Sequence, residues 1–304
     1  MQIKTTGVFL AYGLSSISMT LMNKHLAVQF PYLYTTIFIQ NIGAVLYSLS
    51  SVVLGFQNVQ PFLPHHLLPT LGNALWFVAM LWTSMKSLQL ISVPLYVVSA
   101  YSRPLFTCLL EFFFRGRIVS KHKLLALVLV LLGSVLYTFS DSSATFYGLG
   151  YAIFNTLLVA GLSVYENLIM NNMKNEQTAF GVNLYRVVFT LPFLFVLIIG
   201  SERSDLGMSG LTAALLVLSS AFGLLLGVFM FVLQPLVSAT TIQLGNVSFK
   251  FLTTVASMLM HPVYVAPQGW IGYLVCTTGF YIYSTIKDEA VEPVPEKKKS
   301  VEME

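Results

Sequence analysis

The chain has 304 residues, of which 56% are hydrophobic and only 9% are charged. In soluble domains about a quarter of all residues are charged, so this composition excludes an ordinary soluble protein and predicts a polytopic membrane protein. The mean hydropathy of +0.77 agrees with that class. The formal net charge is +4, and half of the acidic residues lie in the last part of the chain, 288–304. Few carboxylates therefore remain to balance the cations of the apolar part.

Apolar runs of membrane-spanning length fill the chain as far as this tail. A helix needs about 20 apolar residues to cross a bilayer. On that rule we predict an all-α protein with ten transmembrane helices, at 7–26, 33–54, 68–88, 91–114, 122–140, 147–171, 179–200, 209–233, 236–260 and 266–287. The polar tail is predicted to be disordered and cytosolic.

The two halves of the chain share short sequence matches. The first and sixth segments both contain Gly-Leu-Ser, and Gly133 and Tyr137 in the fifth match Gly279 and Tyr283 in the tenth. Since five segments is an odd number, the second half must enter the membrane from the opposite side, as in the inverted repeats of secondary transporters. The predicted units are a first five-helix repeat at 1–145, an inverted second repeat at 146–287, and the tail at 288–304.

Lysine and arginine residues in the connecting loops predict the orientation, because loops on the cytoplasmic side carry an excess of them. If both termini are cytosolic, that side carries most of the loop cations, which are Lys4, Arg115, Arg117, Lys121, Lys123, Lys174, Lys287 and Lys297 to Lys299. The opposite side then carries only Lys86 and Arg203 near segment ends. We therefore predict that both termini are cytosolic.

Two predicted helices carry a cation inside the membrane. Lys250 lies in the ninth segment just after a polar stretch at 245–248, and Arg103, followed by Pro104, lies in the fourth. A charge at this depth is costly and normally faces a cavity or a partner. Interrupted helices at matching places in two repeats are typical of a transporter's central binding site. We therefore predict interruptions in both helices and a site between them.

Positive charge exceeds negative charge inside the predicted spans. The cations there are Lys24, Arg103, Arg186 and Lys250, and the acids are Glu111 and Glu166. Glu111 lies one turn before Arg115 and can pair with it, which leaves Glu166 as the main counter-ion. A cation surplus favours a multivalent anion, and phosphate fits because arginine binds its oxygens with a planar fork while lysine acts as a point charge.

The predicted substrate-binding residues combine these charges with neighbouring polar side chains, and they are Lys250, Arg103, Arg186, Lys24, Tyr185, Asn246, Ser248 and Glu166. Structural interpretations stay open for two of the cations. Lys24 lies near a segment end, where its ammonium can extend to the membrane interface. Arg186 could also be held by Glu166 in a purely structural ion pair.

Other functional classes fit the sequence less well. The five histidines lie at predicted segment ends, and no HExxH or paired-acid motif is present, so we expect neither an enzyme nor a metal or other cofactor. Ion-driven pumps usually carry several acids in the membrane, and two is few. A receptor or interaction protein of the same fold stays open, but that role leaves the four embedded cations unexplained.

Several motifs along the chain resemble those of one transporter family. Asn23-Lys24 is similar to an NK at the end of the first helix, and Ser92 to Tyr96 reads SVPLY where GDP-mannose transporters have SVPMY. Ala239 to Thr241, followed by Lys250, has the spacing of ATT…GALNK in those proteins. Over nearly the whole chain the sequence resembles the nucleotide-sugar and triose-phosphate translocator family of the drug/metabolite transporter superfamily, and overall its GDP-mannose-type members.

The resemblance implies ten helices in two inverted halves, with Lys250 contacting the phosphates or base of a nucleotide. It also implies exchange of a cytosolic nucleotide sugar for a lumenal nucleoside monophosphate in the Golgi membrane, with the endoplasmic reticulum or a plastid as alternatives. Partners would be these nucleotides and the lipid bilayer but no nucleic acid, and a homodimer is left open.

Two departures leave the branch of this family open. Phe249 stands where GDP-mannose transporters have asparagine, and of their FYNN only Tyr185 is kept. Leu244-Gly245-Asn246 instead resembles the VGN of plastid phosphate translocators. The substrate is therefore expected to be a GDP- or UDP-sugar, with a sugar-phosphate/phosphate exchanger as the alternative.

Overall fold

The computed structural model describes residues 2–115, 120–172, 176–202, 209–233 and 239–286, without the side chains of 2–5, 114, 115, 167, 170–172, 179, 227, 228, 230–233 and 239–247. Within this part the chain is helical. The helices are α1 (Gln2–Gln29), α2 (Leu33–Val53), α3 (Leu67–Leu90), α4 (Val93–Tyr101), α5 (Arg103–Arg115), α6 (Lys121–Ser140), α7 (Phe146–Asn172), α8 (Ala179–Ser201), α9 (Gly210–Leu233), α10 (Ala239–Met260) and α11 (Pro267–Thr285). A short 3-10 turn, Pro64–His66, precedes α3.

Each of the ten predicted segments is helical within a few residues of its expected bounds, and the fourth is divided as predicted. There α4 ends at Tyr101 and α5 begins at Arg103. Proline lacks an N–H and disfavours the helical conformation of the residue before it, so Pro104 explains a break at this point.

The interruption predicted in the ninth segment is wrong. Helix α10 continues without a break through 245–248, from Ala239 to Met260. Gly245, Asn246 and Ser248 carry backbone N–H groups, unlike proline, and a glycine inside a helix costs only about 1 kcal/mol relative to alanine. Tertiary packing offsets a cost of that size, so small polar residues alone do not end this helix.

Six helical stretches in the described part are long and apolar enough to cross a membrane, and they are Leu33–Val53, Pro64–Leu90, Val93–Phe113, Lys121–Ser140, Phe146–Glu166 and Phe180–Ser201. Large apolar side chains cover their outer faces. Phe139 is 86% exposed and Ile199 is 70% exposed. Soluble monomers rarely expose continuous apolar surface, so these faces fit contact with lipid and the protein is a polytopic membrane protein.

Helices α6 and α11 approach each other so closely at Gly133 and Gly279 that no side chain larger than hydrogen fits at these positions. A methyl group on Gly133 would lie 2.4 Å from the backbone nitrogen of Cys276, and one on Gly279 would lie 2.9 Å from that of Val130. Small residues permit such backbone contact between membrane helices, and dispersion attraction then stabilises the pair. This pair of helices therefore forms a tightly packed unit at one side of the bundle.

The remaining helix contacts follow a regular pattern. Helix α1 packs on α9 and α10, and α7 packs on α3 and α5. Helix α3 also packs on α8, and α9 packs on α2. The main hydrophobic core lies between α1–α4, α6–α8 and α11, where Tyr101, Tyr137 and Tyr273 are fully buried.

Connections at one end of the bundle are bonded to each other. Asp141, after α6, forms an isolated antiparallel bridge with Val265, before α11. Its carboxylate accepts a hydrogen bond of 2.7 Å from Ser92 Oγ at the start of α4. These contacts fix the α3–α4, α6–α7 and α10–α11 connections relative to one another.

Candidate substrate-binding site

Lys250 and Arg103 lie near each other where α4, α5, α10 and α11 meet. The two charges are close enough for a direct electrostatic interaction. Among the described residues, none pairs a carboxylate with either cation. The Nε atom of Arg103 is buried and has no hydrogen-bond partner in this part of the chain. The structure thus brings these two predicted residues together, and that they bind substrate stays a prediction.

Two aromatic rings hold the Lys250 ammonium in place. Its Nζ lies 5.2 Å from the centroid of Tyr101 and 5.4 Å from that of Phe280. The two rings also pack on each other, with centroids 4.9 Å apart. A cation near an aromatic face gains about 0.5–2 kcal/mol while its charge is kept. The two rings therefore position the Lys250 ammonium, and neither supplies a negative charge to pair with it.

Arg186 lies in a different part of the bundle. It lines a cavity of about 210 Å³ between α1, α2, α3, α8 and α9, with Gln40, Asn41 and Phe77 among the other lining residues. Its guanidinium stacks on Phe77, with Cζ 4.0 Å from the ring centroid. It also donates to Glu166 and to Asn183. Arg186 is thus already paired, as the structural interpretation of this residue requires.

We expect the Glu166–Arg186 pair to contribute only modestly to stability, because the Glu166 side chain is 33% exposed. A double-mutant cycle with Glu166→Gln and Arg186→Met should give a coupling free energy of unfolding of about 1 kcal/mol. If neither single variant weakens nucleotide binding, the pair is structural. Binding that weakens only in the arginine variant would place Arg186 in contact with substrate.

Lys24 is held by the end of α3. Its Nζ donates to the backbone carbonyls of Leu88, at 2.7 Å, and Ile91, at 2.8 Å. Carbonyls at a helix C-terminus lack intrahelical partners, and a lysine there satisfies them and complements the helix dipole. Lys24 also lines a cavity of about 270 Å³ that contains His25 and His261. The structure does not place it beside Lys250.

Tyr185 and Ser248 lie in other surroundings than the aromatic pair around Lys250. The Tyr185 hydroxyl donates to the Gln60 carbonyl at 2.8 Å, and its ring packs on Phe62. Ser248 is exposed and lines an open groove between α10 and α11. The side chains of Asn246 and Arg115 lie outside the described residues.

Phe249, next to Lys250, faces α1 rather than the lysine. It is buried, and its ring occupies the space that a side chain on Gly13 would need. Phe9 and Tyr12 of α1 pack on the same ring. The residue at this position therefore joins α10 to α1, and its difference from asparagine is first of all a packing difference.

The sequence alone did not identify the residues that surround Lys250 and Arg186. Phe280 was not singled out, because nothing in one helix indicates which aromatic ring of another will reach Lys250. Phe77 and Asn183 were missed for the same reason. The helical spacing of Asn183 and Arg186, three residues apart on α8, was the one available signal.

Comparisons with known proteins agree with this architecture. The model of the Triose-phosphate Transporter family matches residues 3–284. The chain is 26% identical to GDP-fucose transporter 1 of Arabidopsis thaliana, covering 97% of this chain and 90% of that protein. It is 24% identical to UDP-galactose/UDP-glucose transporter 7 of the same plant, covering 93% and 90%. A GDP-mannose transporter of Neurospora crassa is 29% identical, over 62% of this chain and 52% of that protein.

One solved crystal structure shares the fold. It is 14% identical, has a TM-score of 0.58, and the match covers 92% of this chain and 96% of that one. At this identity the likeness speaks for the fold alone. The family match spans nearly all of the helical part described above, and the chain belongs to the Triose-phosphate Transporter family.

Proposed function

We propose that this protein is an antiporter that exchanges a cytosolic nucleotide sugar for a nucleoside monophosphate across the Golgi membrane. The observation that carries the proposal is that Lys250 and Arg103 lie near each other in a member of this family, and that no carboxylate pairs with either of them among the residues the structure describes. Two fixed positive charges near each other repel, so their arrangement is costly unless an anion binds between them. A diphosphate or a monophosphate supplies that negative charge.

The proposed architecture is ten membrane spans in two inverted repeats, 1–145 and 146–287. The helix contacts support it. In the proposed repeat α1 corresponds to α7 and α3 corresponds to α9, so the α1–α9 contact and the α7–α3 contact are equivalent. The close approach of Gly133 to Cys276 likewise becomes that of Gly279 to Val130. An inverted repeat gives two equivalent arrangements about one site, which is the basis of alternating access.

The relatives support a nucleotide sugar as the substrate class, because those compared carry GDP-fucose, GDP-mannose or UDP-galactose and UDP-glucose in their names. Both bases occur among them, so we propose the class and let the experiment choose between guanine and uracil. Phe249 packs on α1, so base recognition through that side chain is not part of the proposal. The loop cations support cytosolic termini.

Exchange in liposomes tests the proposal. Purified protein is reconstituted with GMP, UMP, CMP or phosphate inside, and labelled GDP-, UDP- and CMP-sugars and triose phosphates are offered outside. We expect uptake of a GDP- or UDP-sugar that requires the matching internal monophosphate. Liposomes without protein serve as the control.

The remaining outcomes are equally clear. Uptake that is independent of every internal anion would contradict antiport. Phosphate counter-flow with triose phosphate, without any nucleotide dependence, would replace the proposal with a sugar-phosphate/phosphate exchanger. Ligand binding without movement of any substrate would indicate a receptor.

A further inference from the structure

Two histidines and a glutamate converge between the α2–α3 and α7–α8 connections. His65 and His66 belong to the 3-10 turn before α3, and Glu176 precedes α8. Both imidazole Nε2 atoms contact the same carboxylate oxygen of Glu176, at 2.8 Å and 2.7 Å. In the part of the chain that the structure describes, these three form the only group whose metal-ligand atoms lie within 4.8 Å of one another.

The surroundings hold these groups at different levels of exposure. The His66 side chain is 2% exposed, while those of His65 and Glu176 are 63% and 44% exposed. Phe62 packs edge-on against the His66 ring. One ligand is therefore fixed in the interior, and an open side faces water.

Hydrogen bonds also join the two connections that hold this cluster. Gln177 Nε2 donates to the Gln60 carbonyl at 2.9 Å, and the Gln60 amide donates to Gln177 Oε1 at 3.1 Å. Thr178 Oγ1 donates to the Asn58 carbonyl at 3.1 Å. The α2–α3 connection belongs to the first half and the α7–α8 connection to the second. A ligand held by His65, His66 and Glu176 would strengthen this link.

We propose that His65, His66 and Glu176 form a binding site for a divalent transition-metal ion of the zinc type. Two imidazole nitrogens and one carboxylate oxygen are a ligand set that Zn²⁺ uses, with a fourth tetrahedral position left for water. Neutral imidazole frees its Nε2 lone pair by carrying the ring proton on Nδ1. The ionised carboxylate offsets part of the metal charge, and the exposed side provides an entry path.

The geometry requires only a small adjustment. Zinc lies about 2.0–2.2 Å from nitrogen and oxygen ligands, so ligand atoms around a tetrahedral ion are about 3.4 Å apart. The distances from the two histidine nitrogens to the Glu176 oxygen, now 2.8 Å and 2.7 Å, must therefore each increase by about 0.6–0.7 Å. His65 and Glu176 are exposed enough to make this movement by side-chain rotation, while His66 stays in its buried position.

A bound ion would clamp the two connections together. Helices α3 and α8, which follow them, both line the cavity of Arg186, so the clamp connects elements that must move apart if the two repeats rock against each other. This consequence rests on the proposed transport function, whereas the metal site itself does not. We expect zinc to slow exchange and a chelator to restore it.

Equilibrium dialysis of the purified full-length protein against Zn²⁺ tests the site. We expect one zinc ion per chain and no competition from Mg²⁺, which prefers oxygen ligands in octahedral geometry. His65→Ala and Glu176→Gln should each weaken zinc binding at least about 10- to 100-fold, since losing even an outer-shell partner of a metal site costs that much. Both residues are exposed, and gel filtration checks that the variants remain folded.

His261→Ala is the matched control, because His25 and His261 form a second histidine pair with ring centroids 6.4 Å apart. It should bind zinc like the native protein. A native protein that binds no zinc would overturn the site, as would equal binding by the native, His65→Ala and Glu176→Gln proteins. Zinc binding with unchanged exchange would overturn only the clamp. If no exchange occurs under any condition, the proposed transport function fails, and dialysis still decides the site.

Discussion

Lys250→Ala should weaken nucleotide binding strongly while the protein remains folded. The ammonium, held by Tyr101 and Phe280 beside Arg103, is the charge we expect to contact phosphate. A hydrogen bond to a charged group contributes about 1.5–3 kcal/mol, so its loss should lower affinity about 10- to 100-fold. The measurement is thermal stabilisation by GMP or UMP, which falls as the dissociation constant rises at fixed nucleotide concentration.

The protein without nucleotide should be as stable in this variant or more stable. The substitution removes a cation–aromatic contact, but it also removes repulsion between Lys250 and Arg103. Lys250→Arg should recover binding only in part, because a planar guanidinium does not replace a compact ammonium. If the Lys250→Ala protein does not fold, Lys250 is a structural residue.

Lys123→Ala is the matched control for this experiment. Lys123 Nζ lies 5.3 Å from the ring centroid of Tyr283, so this residue is also a buried lysine near an aromatic ring between two helices. It lies in the first turn of α6. Nucleotide stabilisation should survive Lys123→Ala, whatever happens to the melting temperature. Equal loss in both lysine variants would contradict a specific phosphate contact at Lys250.

Local sequence patterns predicted the helices well because the membrane imposes length and apolarity on each segment. The division at Arg103 and Pro104 also followed from local chemistry, since proline breaks a helix by itself. The continuity of α10 did not, because glycine and asparagine only weaken a helix and packing decides the outcome. Contacts such as those of Phe249 with Gly13 belong to that packing.

The proximity of Arg103 and Lys250 was predictable because the predicted repeat supplied a constraint. The two residues occupy matching places in the predicted halves, and the structure places them near each other, while their role in substrate binding stays a prediction. Lys24 has no such constraint, and its partners are the carbonyls of Leu88 and Ile91, whose availability depends on where α3 ends. The adjacent His65 and His66 were visible in the sequence, but Glu176 is more than a hundred residues away and only the fold joins them.

Gly133→Ala should destabilise the protein strongly for a single methyl group. The added carbon would lie 2.4 Å from the Cys276 nitrogen and 2.6 Å from the Gly272 carbonyl oxygen. Backbone atoms cannot move aside by rotation, so α6 and α11 would have to separate and lose contact along their length. Overpacking of this kind costs about 1–3 kcal/mol, which should appear as a lower midpoint of unfolding in detergent.

Two other glycines calibrate this expectation. At Gly279 the nearest backbone atom would be 2.9 Å from the methyl group, so Gly279→Ala should destabilise less than Gly133→Ala. At Gly150 in α7 nothing lies within 4 Å, and alanine there should be neutral or stabilising by up to about 1 kcal/mol because it favours the helix. We therefore expect the highest unfolding midpoint for Gly150→Ala, a lower one for Gly279→Ala and the lowest for Gly133→Ala. An unchanged midpoint for Gly133→Ala would mean that the α6–α11 interface is looser than its backbone contacts indicate.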